Sequence, residues 1–149
     1  MKKIVIFLKI FLLSKWIFTK PKPKKFLLVD GIYNPFLKYY DKKDFNIIHR
    51  RGESINIRVI LKCLLNFDIS TLNYFRQYIK LAAPKLILTA YDYNLIFYRL
   101  SKLSNAKTLM LQKAKRSKSD GIMSGNLLKK NKKKDFFVDY IFLYNQHIS

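Results

Sequence analysis

Glycine and proline are scarce here, four of each in 149 residues, and there is one cysteine, Cys63. So few glycines and prolines exclude a collagen-like or turn-dense chain. One cysteine excludes an intrachain disulfide and a cysteine-based zinc site. The two histidines, His49 and His147, stand far apart, and no HExxH spacing exists. No metal and no cofactor are therefore expected. Nor is there a GxGxxG turn, a phosphate-cradling GxxxxGK[ST] loop or a GxSxG elbow, each of which needs glycine at a fixed offset. Acidic residues are also few, nine against thirty bases, for a net charge of +21.

Apolar residues make up 50% of the chain and aromatics 15%, enough for one folded domain rather than a disordered polymer. Only six of the thirty bases are arginine. Lysine supplies general positive potential, whereas arginine makes the bidentate contacts of base recognition. The bases concentrate at residues 1–25 and 113–134. Attraction to a polyanion or an anionic lipid surface is one reading, and a merely solvated basic surface is the other. Nucleic acid is not the expected partner, because no reading motif is present and the aromatics fall at core spacing.

Residues 4–18 are mostly apolar but carry Lys9, Ser14 and Lys15. As a helix the stretch would run about 22 Å, short of the ~30 Å of a hydrocarbon core. Lys2 and Lys3 resemble the start of a signal peptide, but no small-residue cleavage site follows. Residues 1–19 are expected to form a helix at the membrane interface or packed on the domain, with Lys2, Lys3, Lys9, Lys15 and Trp16 meeting the headgroups. Residues 20–25 then read as a Pro/Lys linker, since Pro21 and Pro23 stop a helix.

From residue 26 to 149 short apolar runs alternate with helical patterns. The runs are Phe26–Val29, Asn46–His49, Leu86–Thr89, Lys107–Leu111 and Phe137–Tyr144. Helices are expected at 55–66, with Ser54 as cap and Ile55, Val59, Leu61, Cys63 and Leu64 among its apolar positions, and from Asp68 or Ser70 to Ala82. Another should start at Asp92 or Asn94, and a short one at Asn34-Pro35. This is repeated βαβ, so the fold class is α/β. The expectation is a three-layer domain with a mostly parallel five-stranded sheet, helices on both faces and Leu86–Thr89 as the centre strand.

Ligands of such sheets lie beyond the carboxyl ends of the strands. The polar residues there form the candidate rim: Asp30 and Gly31 after the first strand, Arg51, Gly52 and Glu53 after the second, Thr89, Asp92 and Asn94 at the third. Gln112 and Arg116 follow the fourth, and Asn145 the fifth. Caps and turns would use the same residue types. His49, at a strand end, reads more readily as a packed residue than as a base. No single group stands out as catalytic.

In this order, Val29-Asp30-Gly31, Arg51-Gly52-Glu53-Ser54-Ile55-Asn56, Pro84 to Thr89, Asp92-Tyr93-Asn94, Gln112, Arg116 and Asp139 to Asn145 resemble the N-terminal half of bacterial surface-carbohydrate (lipopolysaccharide or capsule) biosynthesis proteins. These are glycosyltransferase-like, with a GT-B-type pair of Rossmann-like domains. The resemblance runs along the whole chain. It departs from the family pattern at Tyr93, where the family has Asn, and at Lys113-Ala114, where the family has Asn-Gly. The lost glycine removes a turn that could approach a ligand closely. The resemblance implies a Rossmann-like acceptor-side domain, incomplete as an enzyme without a donor-sugar domain. It also implies a cytoplasmic location peripheral to the inner membrane. Its implied partners are an anionic membrane surface or a lipid-linked glycan acceptor, and a second Rossmann-like domain on a separate chain. A non-catalytic membrane-associated binding module is the alternative.

Overall fold

The computed structural model describes residues 12–31, 35–50, 52–91, 94–112 and 136–142. Among these residues seven strands form two sheets. β1 (Lys15–Ile17) pairs with β4 (Ser54–Asn56), and β2 (Phe26–Val29), β3 (Phe45–Ile48), β5 (Leu86–Thr89), β6 (Lys107–Leu111) and β7 (Tyr140–Phe142) form a five-stranded sheet ordered β3-β2-β5-β6-β7. Every pairing is parallel. The helices are α1 (Ile57–Leu65), α2 (Thr71–Ala82) and the single turn α3 (Phe97–Leu100). The chain runs from β2 outward to β3, then crosses back to β5 on the other side of β2. The molecule is thus a Rossmann-like α/β domain whose strand order reverses between β2 and β5.

The strands form where the apolar runs are continuous, because both faces of the central strands β2 and β5 are buried. Leu27, Val29, Ile87 and Met110 point to the face covered by α1, α2 and α3, through Val59, Cys63, Phe75, Ile79, Phe97 and Leu100. Leu28, Phe45 and Leu88 point to the other face, where Phe36 and Leu37 of a 3-10 turn (Pro35–Lys38) cover them. Among the described residues the α-helices occupy one face only. Full burial of each such aliphatic side chain is worth about 2 kcal/mol. Burial raises the pKa of the Cys63 thiol, as expected of a core cysteine.

Helix limits follow their caps. Asn56 accepts the Val59 N–H at 3.3 Å and starts α1, so the cap is two residues later than Ser54, which is the first residue of β4 instead. Ser70 accepts the Asn73 N–H at 3.3 Å and starts α2. Both helices end in left-handed residues, Phe67 (φ 52°) beyond α1 and Ala83 (φ 41°) at α2, the latter followed by Pro84. Of the apolar positions of α1, Leu61 and Leu64 are exposed, while Val59 and Cys63 are buried.

The N-terminal region also differs from expectation. Lys15–Ile17, expected at the end of a helix, is a strand. The Lys15 N–H donates to the Glu53 carbonyl at 3.0 Å, and the Ser14 hydroxyl donates to the Gly52 carbonyl. These long-range bonds outweigh whatever helical preference the apolar run has. Nor is 20–25 a free linker. Lys24 donates its backbone N–H to the Ala82 carbonyl at 3.1 Å and its ammonium to the Phe45 carbonyl at 2.8 Å. Asn46 Nδ2 donates to the Lys22 carbonyl at 2.7 Å. The segment lies along the open edge of β3, and Tyr78 caps a second outward carbonyl there, that of Ile47, at 3.3 Å. Side chains thereby blunt an edge that could otherwise pair with another chain. No helix of the described residues is long and apolar enough to cross a membrane.

Candidate functional site

The reversal between β2 and β5 brings their ends together, with Thr89 opposite Val29 and Asp30 the next residue along. Asp30 has φ 57°, in the left-handed region that Asp tolerates better than most side chains. Its N–H donates to the Ile48 carbonyl at 2.9 Å, which extends the β2–β3 ladder by one residue. Asp30 Oδ1 accepts the Arg50 N–H at 2.9 Å, and Oδ2 accepts from Asn94 Nδ2 at 3.3 Å. The Arg50 guanidinium stands 3.9 Å from Oδ2. One carboxylate therefore ties together the ends of β2 and β3 and the turn after β5.

Asn94 is buried and completes the clasp. Its Oδ1 accepts the Ile96 N–H at 3.2 Å and its carbonyl accepts the Phe97 N–H at 3.0 Å, setting up α3. Thr89 is buried too; its hydroxyl donates to the Val29 carbonyl at 3.4 Å and accepts the Tyr91 N–H at 3.2 Å. Asn94 and Thr89, expected on a ligand rim, thus use their polar groups inside the protein. Gly31 is buried as well, and a Cβ there would meet Ile47 Cγ2 at 2.7 Å. Gly31→Ala should cost about 1 to 3 kcal/mol by overpacking. A urea double-mutant cycle with Ile47→Ala should recover most of that cost; purely additive losses would show that Ile47 is not the obstacle.

Gly52 and Glu53 turn away to the small sheet, where their carbonyls hold Ser14 and Lys15. Gly52 has φ 81°, a conformation that favours glycine. The Gln112 N–H donates to the Phe142 carbonyl at 2.9 Å and continues the β6–β7 ladder. Trp16 lies opposite Ile55 in the β1–β4 pair. Arg51, Asp92, Arg116, Asn145, Lys2, Lys3 and Lys9 lie outside the described residues.

A second feature was not legible in the sequence. Between the small sheet and the edge of β3 opens a cleft of about 540 Å³. Lys15, Lys20, Lys22 and Lys24 line it, with His49 and Tyr78, and among the described residues no acid lines it. Burial pushes the Tyr78 hydroxyl up to about 12, so it stays protonated at physiological pH and keeps its bond to the Ile47 carbonyl. His49 Nδ1 is buried without a hydrogen bond, with Glu53 Oε2 at 4.0 Å. The lysine run of 20–25 was the available signal, but it reads as a linker until the edge of β3 is placed against it. Chemically, the cleft offers lysine ammonium groups to an anion. Among the described residues no group of three or more His, Cys, Asp or Glu could hold a metal ion.

Comparison with protein-family models, curated proteins and solved structures found no match. The fold and the geometry above define the class, a parallel Rossmann-like domain with a clasped switch point and a basic cleft along the edge strand β3.

Proposed function

We propose that this domain is the acceptor-side, glycosyltransferase-like domain of a surface polysaccharide or lipopolysaccharide biosynthesis protein, working at the cytoplasmic face of the inner membrane. The observation that carries the reading is the lysine cleft at the outer edge of β3, lined by no acid among the described residues. A lipid-linked glycan presents phosphate next to sugar, and the cleft offers ammonium groups for the first and the polar side chains of Thr19 and Ser54 for the second. The donor sugar would be held by a second Rossmann-like domain on another chain. In this scheme the domain binds and orients the acceptor, which lowers the entropic part of the barrier.

A non-catalytic binding module of the same fold is the second reading. It is favoured by the Asp30 carboxylate, since both of its oxygens already accept hydrogen bonds.

A tagged chain purified from membranes, alone and with any co-purifying Rossmann-like partner, tests both readings. A polyprenyl-phosphate-linked oligosaccharide should bind, and Lys20→Glu with Lys22→Glu should weaken that binding roughly tenfold or more. Transfer from a nucleotide-sugar by the complex supports the enzyme reading. Binding without transfer supports the module, and no glycan binding by wild-type protein removes both.

A further inference from the structure

The outer face of α1 holds a pattern that the fold does not use. Arg58 is three and four residues before Leu61 and Lys62, and Leu65 is four and three residues after them, so the four share one side of the helix. Leu61 is 50% exposed and Leu65 78%. The line extends past both helix ends. Arg58 Nε donates to the Phe18 carbonyl at 3.2 Å, which brings exposed Phe18 to the start of the ridge. Phe67 and Ile69 follow the other end, 98% and 69% exposed.

Phe67 is the most informative residue of this ridge. The Asp68 N–H donates to the Cys63 carbonyl at 3.1 Å and the Phe67 N–H to the Leu64 carbonyl at 2.9 Å. This is the Schellman arrangement, and its left-handed position is usually glycine. Here a phenylalanine holds φ 52° with almost its whole surface in water. An aromatic ring there costs backbone strain and recovers almost nothing by burial within the domain. Stability alone would select glycine, so the ring points to a contact outside the chain.

We infer that the α1 ridge is a docking surface for an anionic lipid bilayer, with Phe67 as the inserted aromatic. The choice of occupant rests on charge. Bases recur along the apolar line at Arg58 and Lys62, where their stems can lie on the acyl boundary while their charges reach phosphate. The carboxylate beside the ridge, Asp68, accepts the Ser70 N–H at 2.9 Å at the start of α2. A chain of net charge +21 adds long-range attraction to such a surface. The inference rests on the peripheral-membrane reading but assigns the contact to α1 rather than to Lys15 and Trp16.

The test is sedimentation of the full chain with vesicles of phosphatidylcholine alone or mixed with phosphatidylglycerol. Phe67→Gly should raise Tm by a few degrees and yet lower affinity for the anionic vesicles roughly tenfold. Lys62→Glu should lower it about fivefold or more, with Tm unchanged. Wild-type protein that ignores both vesicle types would remove the membrane reading as a whole. Wild-type binding that both variants retain would overturn the ridge alone. A fall in Tm for Phe67→Gly would mean that the ring serves the fold, and overturns the inference. So would loss of self-association, rather than of vesicle binding, which would make the ridge a contact between copies.

Discussion

Asp30→Ala should lower unfolding stability by about 3 kcal/mol, with Asp30→Asn costing less than half of that. Alanine removes the acceptor for the Arg50 N–H and for the Asn94 amide, and leaves both poorly paired at a buried strand end. It must also hold φ 57°, which alanine resists more than aspartate does. Asparagine keeps the acceptor for Arg50 and tolerates the left-handed region, so it loses mainly the Asn94 bond. Asp30→Gly separates the two causes. It relieves the backbone, so the difference between Gly and Ala should be about 1 kcal/mol. The measurement is urea denaturation of the three variants. Equal losses for Ala, Asn and Gly would show that neither the hydrogen bonds nor the conformation is what Asp30 contributes.

That clasp also shows where sequence reasoning stops. Phe26–Val29, Leu86–Thr89 and Lys107–Leu111 are strands at the limits their apolar runs suggest, and Leu86–Thr89 is the centre strand. Residues buried on both faces announce themselves locally. The second strand begins one residue early, at Phe45, and the last is confined to Tyr140–Phe142 within the described residues. β1 and β4 were missed because three-residue strands exist only through each other. Apolar positions alone do not tell the inner from the outer side of α1, because this helix carries Leu61, Leu64 and Leu65 on its exposed side. At the site, Asp30 and Asn94 were legible as polar groups at strand ends. That they are consumed by one another, across 64 residues, was not. The basic cleft was hidden for the same reason, since its lysines and His49 belong to segments that meet only in the folded sheet.

Asp139→Ala should be comparably damaging, about 3 kcal/mol, because one carboxylate attaches the edge strand β7 to the sheet. Asp139 Oδ2 accepts the Thr108 N–H at 2.8 Å and the Thr108 hydroxyl at 2.8 Å, while the Thr108 hydroxyl accepts the Asp139 N–H at 3.0 Å. Thr108 is fully buried, so truncation strands two donors away from water. Oδ1 meets the Lys107 ammonium at 2.9 Å; that ammonium is largely solvent-exposed, so the ion pair itself adds little. The hydrogen bond from Lys107, with those from Thr108, holds the Asp139 carboxyl below its ordinary pKa. The sign follows from linkage. A carboxyl whose folded pKa is depressed gives stability that is present above the unfolded value of about 3.9 and lost as pH falls through the folded one. Wild-type stability should therefore drop as acid is added below about pH 4, and Asp139→Asn should be less stable at neutral pH and flatter across that range. Lys107 has the opposite sense. Its pKa is raised by the same bond, so its small share is present below about 10.4 and lost as pH rises beyond it. Urea midpoints of the two proteins from pH 2.5 to 7 read the difference directly. Parallel curves would mean that Asp139 is not held as a carboxylate, and that β7 is attached by its backbone ladder alone.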